Sequence, residues 1–173
     1  MSRFTVRPLR SEDFAALRQL EADVFGATGD DVLCPHYLRL CTEFYADTCF
    51  LALADGRPVG YLLSFVRDRE AYCTTLAVRA EFQRTRATTM LVAAFVQAFV
   101  LDRFDTCWFT VKPDNRPARA LHAMLGATDA GTVHDFYGPG DDRIVANIDR
   151  ARFEQLRPRY ERLGLLPRRA AAA

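Results

Sequence analysis

Lysine is almost missing from this chain, since Lys112 stands alone against 22 arginines. An excess of charge of either sign is missing too, because 23 basic and 22 acidic side chains leave a formal net charge of +1. Nucleic-acid binding draws most of its affinity from neutralised phosphates. We therefore expect no nucleic-acid partner.

Metal-site spacing and long apolar runs are also missing. The 5 cysteines form no C-x-x-C pair and only 3 histidines are present, so we expect reduced thiols and no bound metal. The run Met90–Leu101 is shorter than the roughly 18 residues of a membrane span. Ser2–Arg10 alternates charged and apolar residues without the apolar block of a signal peptide. These features predict a cytoplasmic protein that does not contact a membrane.

The chain has 173 residues, of which 50% are hydrophobic, enough for one domain with a sizeable core. We expect that domain over residues 1–150, followed by a C-terminal helix and a disordered tail over residues 151–173. Ser11 is predicted to cap the first helix, and Asp55–Gly56 to form the turn of a hairpin. The predicted order, β-α-α-β-β-β-α-β-α-β-β, favours an α/β fold with a mixed sheet and helices on its faces.

Two segments carry most of the information about chemistry. In the first, a strand over Ala71–Val78 runs through the polar stretch Arg79–Arg86 into an apolar helix over about Ala87–Leu101. The free N–H groups at the start of such a helix form a binding site for phosphate. In the second, a strand ends at Val111 and Asn115 opens a helix as its N-cap.

Together these segments resemble the GNAT superfamily of acetyl-CoA-dependent acetyltransferases, over about residues 3–149. The family's first signature reads V-x-P-x-x-Q/R-G-x-G-x-G/A, and Val78 and Gln83 match it. The second signature, N-x-x-A-x-x-L-Y-x-x-x-G-F/A, is matched by Asn115, Ala118, Leu121, Gly126 and Ala127, with His122 at the tyrosine position. The resemblance implies a mixed, mostly antiparallel central sheet flanked by helices.

The resemblance also implies acetyl-CoA as co-substrate. Backbone groups of Leu76, Ala77 and Val78 are expected to pair with the pantetheine arm, and the N–H group around Leu76 to polarise the thioester carbonyl. Asn115 is a further candidate contact to the pantetheine. The residues expected at the diphosphate are Gln83, Arg84, Thr85, Arg86, Ala87 and Thr88.

Three of these residues, Arg84, Arg86 and Thr88, stand where the family has glycines that let the backbone approach phosphate. Two interpretations remain open. In the first, the helix amides still bind the diphosphate and an arginine adds a charged clamp. In the second, the loop is blocked and the chain is a catalytically silent binding module.

Proton transfer has several candidate residues. His122 occupies the position of the family's usual acid. It is a candidate acid because a histidine that titrates near neutrality is able to protonate the thiolate. Tyr137 is a second candidate acid. Glu70 and Asp30 are candidate bases. Each of the four also has a plain structural interpretation, as a packed ring or a solvated charge.

A narrower resemblance, over Asp30–Val66 and at Pro113–Asn115, is to the diaminobutyrate acetyltransferases of ectoine synthesis. It implies a small amine or amino-acid substrate whose ammonium group binds Asp30, Tyr37 or Asp47. The expected function is transfer of acetyl from acetyl-CoA to a primary amine of a small molecule, with a diamino acid as a candidate. The alternatives are a protein or antibiotic amine, and the silent module. GNAT proteins are often dimers, so the helix Arg152–Leu163 is expected either to pair across subunits or simply to cover the sheet.

Overall fold

The computed structural model describes residues 2–26, 32–83, 85–101 and 104–168. It contains a seven-stranded sheet in the order β1-β2-β3-β4-β5-β7-β6, flanked by helices. The strands are β1 (Phe4–Pro8), β2 (Phe50–Ala54), β3 (Arg57–Arg67), β4 (Glu70–Val78), β5 (Thr106–Val111), β6 (Thr128–Val133) and β7 (Arg143–Asp149). The helices are α1 (Phe14–Phe25), α2 (Pro35–Glu43), α3 (Arg86–Leu101), α4 (Arg116–Leu125) and α5 (Arg150–Arg162).

The expected mixed sheet is confirmed. Strands β1 and β2, β2 and β3, β5 and β7, and β6 and β7 pair antiparallel, whereas β4 and β5 pair parallel. The predicted element order is also that of the structure. Within the described ranges, no helix is both long and apolar enough to cross a bilayer.

The first of two compact units comprises Met1–Phe65 and Thr75–Asp102. Leu17 and Leu20 of α1 and Leu38 of α2 are fully buried in its core, against residues of β2 and β3. The one polar residue on the apolar face of α1, Glu21, is buried too. Its carboxyl group accepts hydrogen bonds from the Tyr61 hydroxyl and, at 2.9 Å, from the Leu33 amide, and burial raises its pKa.

The second unit comprises Val66–Thr74 and Arg103–Ala173. Its core is formed by alternate residues of β5 and β7, which point inward at every second position. Helix α5 belongs to this unit, because Phe153 and Tyr160 are buried and the Tyr160 hydroxyl donates to the Leu125 carbonyl at 2.5 Å.

The prediction that Ser11 caps the first helix is wrong. A 3-10 turn over Ser11–Asp13 precedes α1, and the Ser11 hydroxyl donates to the Glu43 carboxylate at 2.7 Å. The Asp13 carboxylate stabilises the start of this 3-10 turn, because it accepts the Arg10 amide at 2.8 Å and pairs with Arg7 at 2.6 Å. Among the described residues, no side chain caps the first turn of α1 at Asp13.

Gly126 ends α4 in the left-handed conformation, with φ of 83°, which glycine adopts without a Cβ penalty. A Cβ at this position would also collide with Leu156 of α5. We therefore expect Gly126→Ala to destabilise the fold by more than the roughly 1–2 kcal/mol of a left-handed non-glycine residue. Gly56→Ala is the matched control, because Gly56 has φ of 80° with nothing near its missing Cβ. Urea denaturation measures both, and equal losses would contradict the role of Leu156.

Candidate active site

In the first unit, β4 ends at Val78 and the chain turns through Ala80–Phe82 before α3. The Arg79 amide donates to the Val59 carbonyl at 2.9 Å, which fixes the start of the turn. The Gln83 side chain donates to the Val78 carbonyl at 3.2 Å. This hydrogen bond links the loop after β4 to the end of that strand.

The first turn of α3 presents backbone donors. Ala87 is fully buried, and its amide donates to the Thr85 hydroxyl at 3.3 Å. That hydroxyl donates in turn to the Phe82 carbonyl at 2.7 Å. The amides of Arg86 and Thr88 have no acceptor among the described residues. An anion such as a diphosphate satisfies donors of this kind and is favoured by the helix dipole.

Arg86 and Thr88, two of the residues that replace the family's glycines, are compatible with this geometry. No residue with positive φ lies in the described part of the loop, Arg79–Gln83 and Thr85–Thr88, so this backbone does not require glycine. The Arg86 side chain is exposed and pairs with no carboxylate in the part of the chain that the structure describes. It is therefore free to contact a phosphate group. Arg84 lies outside the described residues.

The strand residues expected at the pantetheine are at the carboxyl end of β4. The register of β4 against β5 runs from Glu70 opposite Thr106 to Cys73 opposite Phe109. The strand itself continues to Val78, through Leu76 and Ala77. Ala77 and Val78 are buried.

In the second unit, three hydroxyl groups meet. The Tyr72 hydroxyl lies 2.6 Å from the Thr110 hydroxyl and 2.6 Å from the Tyr137 hydroxyl. Burial raises the pKa of Tyr72, so that it stays protonated. Tyr137 is exposed, and the Arg143 guanidinium lies 5.0 Å from the centre of its ring. The candidate acid Tyr137 is thus hydrogen-bonded to Tyr72, which the sequence predicts only as part of a strand.

His122 lies on α4 with its ring against Phe109, at 4.6 Å between ring centres. Burial lowers its pKa to about 4, and its Nδ1 atom is buried without a hydrogen-bond partner in the described structure. At neutral pH the imidazole is therefore uncharged, and a neutral imidazole is a weak proton donor.

The half-buried His122, with its buried Nδ1 atom, makes stability depend on pH. We expect the free energy of unfolding to fall as the pH falls from about 6.5 towards 4, because over this range the unfolded chain binds a proton at His122 that the folded chain does not. Urea denaturation of the wild type and of His122→Gln at several pH values measures the effect. The wild type should lose stability relative to the variant as the pH falls, and a constant difference would contradict the burial of a neutral imidazole.

The remaining predicted site residues form a helix cap, lie exposed on the surface or pack against another ring. Asn115 is the N-cap of α4, and its side-chain oxygen accepts the Ala118 amide at 3.1 Å. Glu70 is exposed at the start of β4, and Asp47 is exposed in the 3-10 turn Ala46–Thr48. The half-buried Tyr37 packs edge-on against Phe65. Asp30 lies outside the described residues.

The sequence profile of the acetyltransferase (GNAT) family matches residues 14–127. The chain belongs to this family. It is an acetyl-CoA-dependent N-acetyltransferase, as the two signatures predicted, and acetyl-CoA is its co-substrate. The silent module is thereby disfavoured.

A curated relative and two solved structures illustrate the likeness. The uncharacterized N-acetyltransferase MJ1530 of Methanocaldococcus jannaschii is 24% identical over 144 residues, which cover 81% of this chain and 88% of the relative. The ribosomal-protein-S18-alanine N-acetyltransferase of Escherichia coli has a TM-score of 0.70 at 18% identity, covering 85% of this chain and 94% of its own. The diaminobutyrate acetyltransferase EctA of Paenibacillus lautus, solved with L-2,4-diaminobutyric acid and coenzyme A, has a TM-score of 0.69 at 15% identity, covering 84% and 95%. At these identities the two structures show a shared fold.

Proposed function

We propose that this acetyltransferase transfers acetyl to the primary amine of a small molecule, with a diamino acid as the best candidate. The binding of acetyl-CoA is supported by the first turn of α3. There, the amides of Arg86 and Thr88 and the exposed Arg86 guanidinium offer donors for the diphosphate of acetyl-CoA.

The proposed reaction is direct transfer. The amine nitrogen attacks the thioester carbonyl, the N–H group around Leu76 stabilises the developing oxyanion, and the C–S bond then breaks. One proton leaves the amine and one proton reaches the thiolate of coenzyme A. Glu70 and Asp30 remain the candidate bases for the amine proton.

Tyr137 is the proposed donor to the thiolate. Tyr137 is exposed, and the hydroxyl of the half-buried Tyr72 lies within hydrogen-bonding distance of its hydroxyl. When Tyr72 donates to the Tyr137 oxygen, the Tyr137 proton is free for transfer, and the same hydrogen bond stabilises the oxygen that is left negative. His122 is the weaker candidate, because its ring is uncharged at neutral pH.

The acceptor is proposed from the resemblance of residues 30–66 to diaminobutyrate acetyltransferases, together with the exposed Asp47. A carboxylate in this position is suited to an ammonium group of a diamino acid. The fold shared with EctA, which was solved with such a substrate, agrees with this proposal.

A protein amine is the second candidate. The turn before β7 carries an exposed aromatic pair, Phe136 and Tyr137, whose rings lie 4.7 Å apart. Exposed aromatic side chains of this kind are common in surfaces that bind other chains. The likeness to the ribosomal-protein-S18-alanine N-acetyltransferase concerns the fold and is compatible with this alternative.

Release of coenzyme A in the presence of a panel of amines tests the acceptor. We expect turnover with L-2,4-diaminobutyrate, and a raised KM for that amine in Asp47→Asn with the KM for acetyl-CoA unchanged. Short peptides with free and with blocked α-amino groups form the second arm. Turnover of only the peptides with a free amine would overturn the small-molecule proposal and favour the protein amine.

A further inference from the structure

The loop between β6 and β7, which carries Tyr137, is stabilised by hydrogen bonds of its own. The Phe136 amide donates to the Asp141 carbonyl at 2.9 Å, and the Gly140 amide donates to the Asp135 carboxylate at 2.6 Å. Both bonds close the loop across its width. They therefore set the backbone from which the Tyr137 side chain projects.

The backbone alone does not set the direction of the Tyr137 ring, because a tyrosine side chain has several staggered rotamers. Tyr137 is 59% exposed, so few contacts select one of them. Phe136 packs edge-on against the ring at 4.7 Å between ring centres. The Arg143 guanidinium lies 5.0 Å from the ring centre. Arg143 is thus the charged neighbour of the ring.

Arg143 is itself held in place by Asp141. Its Nε atom lies 2.6 Å from one oxygen of the Asp141 carboxylate, and a terminal nitrogen donates to the other oxygen at 2.8 Å. The Arg143 side chain is 18% exposed, so the ion pair is largely shielded from water. A carboxylate binds along the edge of the guanidinium plane and leaves its face for an aromatic ring.

The charge of Arg143 also acts on the hydroxyl cluster. In the sheet, Val145 of β7 lies opposite Thr110, and Arg143 is two residues before Val145, so its side chain is on the same face as Thr110. Burial raises the pKa of Tyr72, and the Arg143 charge opposes this rise. The guanidinium therefore interacts with both tyrosines of the cluster, through the ring of Tyr137 and through the charge balance at Tyr72.

This arrangement matters most when Tyr137 loses its proton. The oxygen and the ring of the residue then carry a negative charge, and the nearby guanidinium attracts them more strongly than it attracts the neutral ring. An interaction that is stronger in the transition state than in the ground state raises kcat and leaves KM unchanged.

We propose that Arg143 is a positioning residue for the acetyl transfer, which orients the Tyr137 ring with its hydroxyl beside Tyr72 and stabilises the negative charge that proton transfer leaves on Tyr137. The inference rests on the proposed role of Tyr137 as the proton donor. Asp141 supports it by holding the guanidinium at the ring. Arg143 belongs to neither of the two family signatures, so the sequence gave no reason to select it.

Steady-state kinetics of two Arg143 variants test the proposal, with L-2,4-diaminobutyrate as the amine, or with a peptide that has a free α-amino group if only the peptides turn over. Arg143→Gln removes the charge, and kcat should fall about tenfold, the effect of a partly desolvated cation–π contact. Both KM values should stay within about twofold. Arg143→Lys keeps the charge and should retain at least about a third of kcat.

These two variants separate a positioning role from a merely structural one. Disorder of the loop would raise KM for the amine and would not be rescued by lysine. An unchanged kcat in Arg143→Gln, a change confined to KM, or an equal loss in both variants would overturn the proposal.

A double variant tests whether Arg143 acts through Tyr137. Arg143→Gln combined with Tyr137→Phe should be no slower than Tyr137→Phe alone, because residues that act as a unit have non-additive effects. A further tenfold loss in the double variant would overturn the inference and leave the proton donor in place. An unchanged kcat in Tyr137→Phe would overturn the proton donor and the inference together, so the two failures are distinguishable.

Arg157→Gln is the matched control, because it also breaks an arginine–carboxylate pair of the second unit. Arg157 Nε lies 2.9 Å from Glu154, and the Arg157 side chain is 15% exposed. This variant should leave kcat within about twofold, because Arg157 has no contact with either tyrosine among its recorded partners. The melting temperature of each variant checks its fold. A fall in kcat of the same size in Arg157→Gln would refute a specific role for Arg143.

Discussion

Replacing Arg86 with glutamate should raise the dissociation constant for acetyl-CoA about a hundredfold, equivalent to about 2.7 kcal/mol. The variant removes a guanidinium that has no other partner in the described structure. It also places a negative charge beside the amides proposed for the diphosphate. Charged hydrogen bonds contribute about 1.5–3 kcal/mol each, and repulsion adds to their loss.

The same substitution should not weaken the fold. Arg86 is the first residue of α3, and a carboxylate in the first turn of a helix interacts favourably with the helix dipole. The melting temperature is therefore expected to stay level or rise while the affinity falls. Calorimetric titration with acetyl-CoA measures the affinity.

Two further variants complete the comparison. Arg18→Glu reverses an exposed charge on α1 that belongs to neither signature, and it should leave the affinity within about twofold, because exposed charges are screened by salt. Arg86→Gly should weaken binding about tenfold if the guanidinium contacts phosphate. An unchanged or raised affinity in Arg86→Gly would mean that the side chain only obstructs the loop.

Local patterns in the sequence predicted most of the elements. The turn at Asp55–Gly56 adopts positive φ at both residues, 48° and 80°, which is the geometry that this pair favours in a two-residue hairpin. Gly126 ends α4 with positive φ for a similar reason. Both features depend on one or two residues and their neighbours in the chain, so they are readable from sequence.

Features that depend on distant partners were not predictable in this way. The strand order places β7 between β5 and β6, which sequence periodicity does not encode. Ser11 has the side chain of an N-cap, yet its hydroxyl bonds to Glu43, 32 residues away. Glu21 is a polar residue on the apolar face of α1, and its burial depends on Tyr61 and Leu33, which donate hydrogen bonds to its oxygens.

The candidate site shows the same division. The family signatures identified the end of β4, the start of α3 and the N-cap Asn115 from sequence alone. Tyr72 was missed, because its meaning depends on the register of β4 and β5. Tyr72 lies opposite Trp108, so its side chain reaches the diagonal neighbour Thr110 on the same face. The sequence offered only weak signals for this cluster: Tyr72 and Thr110 on neighbouring strands, and Tyr137 in a later turn.

Tyr137→Phe should lower kcat about a hundredfold, at the lower end of the 10²–10⁴-fold range for general acid catalysis. The substitution deletes the proposed proton donor and keeps the ring that lies beside Arg143. Tyr137 is exposed, so little stability should be lost. Tyr45→Phe is the control, because Tyr45 packs against Phe65 in the first unit and is not among the candidate site residues. An unchanged kcat in Tyr137→Phe would remove this residue from the chemistry.

Tyr72→Phe distinguishes a positioning role from independent catalysis. If Tyr72 acts only by orienting the Tyr137 hydroxyl and stabilising its deprotonated oxygen, its loss should lower kcat about tenfold, the effect of a hydrogen bond of ordinary strength. The double variant should then be no slower than Tyr137→Phe alone, because residues that act as a unit have non-additive effects. Steady-state kcat of the two single variants and the double variant measures the coupling. Multiplicative losses would show that the two hydroxyl groups act separately, and Tyr72 would then need a role of its own in the transfer.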